Sequence, residues 1–150
     1  MRNGSAGFVK LTDNSAEVKL MMRNALKRAL MAIGLKAERY AKDNATQMGV
    51  VDTGLLRNSI TFALAGEPAN ISSYTADRGK GHNPPLSGSY SGTADGDEDE
   101  LTVYVGTNVE YAPYNEFGTE RRGARPFLHN AAADHAEEYR EIFEKEMKNG

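Results

Sequence analysis

Histidine, arginine, acidic and aromatic side chains are what this 150-residue chain offers for chemistry, and their spacing narrows what each can do. His129 and His135 stand six positions apart. A zinc-protease helix needs two histidines four apart with a glutamate, so this pair does not face one metal from one side of a helix. Asp95-Gly96-Asp97-Glu98-Asp99-Glu100 begins like a calcium loop. Glu100 then stands where that loop needs glycine, and Gly106 where it needs a bidentate glutamate. The run reads instead as a solvated acidic stretch. Gly79-Lys80-Gly81 lacks the spacing and the strand–helix setting of a phosphate loop, and no serine sits in a nucleophile elbow. The absence of cysteine excludes disulfides and thiolate chemistry. Neither catalysis nor a metal or other cofactor is expected.

Two groups suit binding better than reaction. Tyr111, Tyr114 and Phe117 crowd around Pro113 and Gly118, a rigid loop holding large apolar area. Such aromatics either fill the core beneath a sheet or anchor an interface. Glu116 lies near Arg121, Arg122 and Arg125 in sequence, which suggests ion pairs within the subunit or across an assembly. Solvated pairs contribute only ~0–1 kcal/mol, so surface decoration is the plain reading. Three arginines within five residues still stand out in a chain of net charge −3 and isoelectric point about 5.6. They are alternatively an inter-subunit clamp or a DNA-facing patch. The chain as a whole lacks the basic footprint of a free DNA-binding protein.

The elements that must position these groups can be read from periodicity. Asn14 or Ser15 can cap a long first helix, with Glu17 in its first turn. Val18, Met22, Ala25, Leu26, Ala29, Ile33, Ala37, Tyr40 and Ala41 recur at steps of three and four, a stripe on one face. Carried to about Thr46, such a helix spans ~45 Å, longer than a small core requires. Gly34 weakens it by ~1 kcal/mol relative to alanine and marks a place for a bend. Asp52-Thr53-Gly54 opens a turn through Leu55 and Leu56, after which Arg57 projects at the start of a strand. Ile60, Phe62 and Leu64 alternate with Thr61 and Ala63 as that strand, and Ile71 to Thr75 reads as a short partner.

Residues 76–100 are rich in glycine, serine, proline and aspartate, with almost nothing to anchor a core. They read as an extended, mobile loop with Arg78, Lys80 and His82 at its start and the acidic run at its end. Leu101, Val103 and Val105 alternate as a second strand. Gly106-Thr107-Asn108 is a turn, and Val109-Glu110-Tyr111 reads as the start of a return strand. A last helix is expected from Pro126, its stripe made by Leu128, Ala132, His135, Tyr139, Ile142, Phe143 and Met147. The order predicts one α+β domain over residues 1–150, with long amino-terminal and carboxy-terminal helices on a small, mainly antiparallel sheet. No apolar run approaches the ~20 residues that span a bilayer, and Met1-Arg2-Asn3-Gly4-Ser5 does not read as a signal peptide, so no membrane partner is expected.

Three segments taken together resemble the small tail-component family encoded between the head and tail genes of long-tailed phages. They are Val51-Asp52-Thr53-Gly54-Leu55-Leu56-Arg57-Asn58-Ser59-Ile60, then Val105-Gly106-Thr107-Asn108-Val109-Glu110-Tyr111-Ala112-Pro113-Tyr114, then Glu116-Phe117-Gly118-Thr119 followed by Ala124-Arg125-Pro126-Phe127-Leu128. The resemblance runs from the first helix to the start of the last one, apart from the glycine-rich loop. It implies a structural virion protein of the head–tail junction (neck or tail completion), with no catalytic residues. Joining a head to a tail requires a channel for DNA, and a homo-oligomeric ring is the economical way to make one. The expected partners are further copies and other head-neck and tail proteins, while DNA passes through without being specifically bound. Assembly in the host cytoplasm would suit a cysteine-free chain. Arg57, Tyr111, Tyr114, Glu116, Phe117, Arg121, Arg122 and Arg125 are the candidate interface residues. The alternative is a nucleic-acid-binding module using the Arg121–Arg125 segment.

Overall fold

The computed structural model describes residues 14–49, 54–76 and 86–149. Helix α1 spans Ser15–Gln47. Asn14 stands at its cap position but makes no side-chain cap hydrogen bond; its carbonyl accepts from the Val18 N–H. The face of α1 that enters the core is built almost wholly from small residues: Ala25, Ala29, Gly34, Ala37, Ala41 and Ala45 are buried, with Leu30 the one large side chain among them. Val18 and Met22, expected in that stripe, are exposed. Small side chains let neighbouring backbones approach closely, so the bulk of the core comes from the elements packed on α1.

Gly34 is the clearest case. The helix runs through it unbroken, and a Cβ built there would lie 2.7 Å from Cγ of Phe62. The ring of Phe62 fills the place of a side chain, which is why glycine stands in mid-helix despite its cost. Leu30, Phe62 and Leu64, with Val103, form the part of the core nearer the start of α1. Ala41, Ala45, Leu56, Ile60, Val109, Ala112, Phe127 and Ala131 form the part nearer its end.

After α1 the chain re-enters the described residues at Gly54, whose φ of 85° favours glycine and leads into the single-turn helix α2, Leu55–Ser59. The expected Asp52 cap lies outside the described residues, as do Arg78, Lys80 and His82. Strand β1, Thr61–Leu64, pairs antiparallel with β4, Val103–Gly106, in the register Phe62 opposite Val105 and Leu64 opposite Val103. Both strands were expected.

The expected partner strand near Ile71–Thr75 is corrected. Strand β2, Ser73–Ala76, pairs antiparallel with β3, Leu86–Ser89, in a second two-stranded sheet. The stretch read as structureless therefore contains a strand. Tyr90 also ties it to the core, donating its hydroxyl hydrogen to the Ser59 carbonyl at 2.6 Å and accepting the Asn108 N–H at 3.2 Å. Further on, the Ala94 N–H bonds Glu67 O and the Gly66 N–H bonds Ala94 O. Composition concealed this because the anchors are one tyrosine and the backbone itself, not an apolar run.

The return strand expected at Val109–Tyr111 is also corrected. Val109 is buried, and the chain turns directly into α3, Ala112–Phe117, with Pro113 in its first turn. The single last helix is two: α4, Phe127–Ala133, and α5, Ala136–Asn149. At the interruption the His135 ring stacks on Tyr40 with centroids 3.5 Å apart. Tyr139 lies against Tyr40, and Ile142 and Lys145 lie beside Leu35 and Ala32, so α5 runs antiparallel to α1. Lys36 pairs with Glu138 at 3.4 Å, and the Tyr40 hydroxyl donates to Glu138. The whole is α+β: helices on small antiparallel sheets.

Candidate functional site

The residues from Tyr111 to Arg125 hold most of the candidate interface side chains, and α3 carries Tyr114, Glu116 and Phe117 among them. Ala112 and Glu116 point into the protein. Ala112 joins the core beside Val109 and Phe127. The other faces of the helix are outward: Tyr111 is 39% exposed, Tyr114 63% and Phe117 78%. The core reading of these aromatics is thereby overturned for the single chain. Val109, Ala112, Phe127 and Ala131 already fill the space beneath the sheet, so the rings are left at the surface.

Within the chain Glu116 does not pair with the arginines. It is 8% exposed, and its carboxylate accepts the N–H of Leu128 at 2.8 Å through Oε1 and that of His129 at 3.0 Å through Oε2. Those are the second and third residues of α4, where backbone N–H groups have no partner within the helix. Pro126, at the cap position of α4, has no side-chain oxygen to offer them. A carboxylate from α3 therefore caps α4, complementing its positive end and fixing the two helices together. The missing local cap before Phe127 was the signal in the sequence that a cap had to come from elsewhere. Nothing local named Glu116 as its source.

The arginines part company. The Thr119 N–H bonds Arg122 O at 2.8 Å, and the Thr119 hydroxyl accepts the N–H of Arg122 and of Arg121, forming a turn that leaves both arginine side chains exposed. Arg125 is half-buried; its N–H bonds Asn115 O at 2.6 Å and its guanidinium donates to Gly49 O at 3.2 Å. It ties this loop to the end of α1. Among the described residues none of the three arginines pairs with a carboxylate. Arg57 is exposed on α2, away from this group in the chain.

Beside the aromatic edge runs a groove of about 600 Å³, lined by Val103, Val105, Val109, Ala112, Phe117, Leu128 and Ala132 together with Tyr104, Glu110 and His129. It follows β4, which pairs with β1 alone among the described strands. The lining is chiefly aliphatic and aromatic, suited to an apolar partner. Among the described residues no three His, Asp or Glu side chains gather as a metal-ligand set. No helix of the described residues is long and apolar enough to cross a membrane.

Residues 8–118 match the family model described as "Bacteriophage HK97-gp10, putative tail-component". The match takes in α1, both sheets and α3, and ends before α4 and α5. No curated protein and no solved structure matches the chain.

Proposed function

The chain belongs to the HK97-gp10-like family of phage tail components, and from that premise we propose that it is a structural protein of the head–tail junction, assembling as a ring around the DNA channel. The observation that carries this reading is the exposure of Tyr114 and Phe117 on a helix that Glu116 ties to α4. Large apolar rings presented on a fixed support are the usual anchors of protein interfaces, since little side-chain freedom is lost on burial. A protein that acts by assembly needs such a surface and needs no reactive constellation. Its partners are further copies of itself and the head-neck and tail proteins above and below. DNA passes through the ring without specific recognition, in keeping with the net charge of −3.

Light scattering at high protein concentration, with negative-stain images of the same sample, tests the reading. Rings with a central hole are expected, and Tyr114→Ala or Phe117→Ala should abolish them while the monomer stays folded. Assembly that survives both substitutions would overturn the assigned surface. DNA affinity that falls steeply with rising salt, and disappears on removing Arg121 and Arg122, would support the nucleic-acid module instead.

A further inference from the structure

The apolar stripe of α1 continues past the point where the core ends. Ala25 and Ala29 are buried, whereas Val18 and Met22, on the same face nearer the amino end, are 49% and 53% exposed. Met21 beside them is 54% exposed. Every residue from Asn14 to Asn24 is exposed. The described body meets this stretch at Arg23, which pairs with Asp99 at 3.2 Å, and at Lys19 and Met22, which border a pocket shared with Glu98, Glu100 and Leu101. Helices draw most of their stability from packing an apolar face, and about half of Val18 and of Met22 stays open to solvent.

The β4–α3–α4 groove has the opposite shape and the same chemistry. Its lining runs from Val103, packed on the Leu30 part of the core, to Ala112 in the Ala41–Ala45 part, ~30 Å along the helix from Met22, and a continuous α1 cannot fold its own end into it. Charge is complementary as well. From Ser15 to Arg28 the helix carries Lys19, Arg23, Lys27 and Arg28 against Glu17. Arg23 and Lys27 pair within the chain with Asp99 and Glu67, and among the described residues Lys19 and Arg28 make no ion pair. The groove lining carries the exposed Glu110 and no Lys or Arg; Glu116, also in the lining, is occupied in capping α4.

We infer that the exposed end of α1 docks in the β4–α3–α4 groove of a second copy of this chain. Val18 and Met22 pack there against Phe117 and Leu128, and Lys19 faces Glu110. This is a helix-in-groove contact. It is heterologous, since each copy offers a plug at one end and a socket at the other, and repetition of such a contact closes a ring when its rotation allows. The inference rests on the ring reading and names the two surfaces that meet.

The chain has no cysteine, so introduced thiols are unique. Met22→Cys and Ala132→Cys are both at exposed positions and leave the core untouched. Each full-length variant alone, and an equal mixture, would be treated with a short bis-maleimide, with light scattering and negative-stain images of the same samples. A covalent dimer in the mixture and none in either variant alone is the expected result. Dimers of Met22→Cys with itself would overturn the inference in favour of a helix-to-helix contact. Rings without cross-links in the mixture would overturn it and leave the ring reading intact; monomers throughout would overturn both. Independently, Lys19→Glu should raise the concentration needed for assembly, and adding Glu110→Lys should restore it. Failure of that rescue would remove the assigned facing of Lys19 and Glu110.

Discussion

Gly34 and Phe62 form one packing unit, and Gly34→Ala sets two effects against each other. Alanine gains ~1 kcal/mol of helix propensity over glycine. Overpacking costs ~1–3 kcal/mol, because the added carbon meets the Phe62 ring, not the free end of a flexible chain. Net destabilisation in urea is expected, relieved when Phe62→Leu is added; a stabilised Gly34→Ala protein would show that the ring moves aside freely. Glu116 is the other residue whose surroundings decide its role. Glu116→Gln removes a charge and one of the two acceptors facing the N–H groups of Leu128 and His129. A loss of ~1–2 kcal/mol is expected, on the scale of a helix cap. Glu110→Gln, at an exposed position of the same segment, should change stability by less than ~0.5 kcal/mol. Equal effects of the two substitutions would remove the capping role.

Helices α4 and α5 meet α1 through tyrosines whose hydroxyls are spent inside the fold. Tyr139 donates to Ala131 O, and burial, then the nearby Tyr40 and Glu138, push its pKa up to about 12. Burial disfavours the charged phenolate, so the folded state holds the proton more tightly than the unfolded chain, where tyrosine titrates near 10. Stability from this group is complete below pH 10 and is lost as pH rises toward 12. Thermal melts across that window should fall less steeply for Tyr139→Phe than for the parent chain, and identical slopes would contradict the assignment. Glu138 works at the acid end. The hydrogen bond from Tyr40, and then Lys36, hold its carboxyl below the usual range, so its contribution is present at neutral pH and lost as pH falls through its folded value. The β2–β3 hairpin shows how an element can escape a reading of composition. Its strands carry hardly any apolar surface, and it is seated by hydrogen bonds from Tyr74 to Asn108 and from Tyr90 to Ser59.

For the molecule as a whole, the proposed function rests on the apolar area left outside the core. Tyr114, Phe117 and the Val18–Met22 end of α1 are exposed in one chain. Removing such side chains leaves no cavity, so Tyr114→Ala and Phe117→Ala should each change monomer stability by less than ~0.5 kcal/mol. Their effect should appear in assembly alone, with chemical denaturation and light scattering read on the same samples. A variant that loses ~2 kcal/mol or more would return its ring to the core.

What the chain by itself determined was whatever rests on local periodicity and on residues with special backbone demands. The long helix, the strands at Phe62 and Val103, the α+β class, the turn glycine at 54 and the family motifs were legible because each is encoded within a short window. Tertiary structure decided everything that depends on who meets whom. The core face of α1 is a row of alanines with one glycine and Leu30, whose burial depends on Phe62, Phe127 and Leu56 arriving from elsewhere. Glu116 looked like a partner for nearby arginines and is the cap of another helix, because the fold seats its carboxylate at the start of α4 and leaves Arg121 and Arg122 exposed. Tyr114 and Phe117 suited core and surface equally in sequence; smaller neighbours had already filled the core, and the rings were left outside.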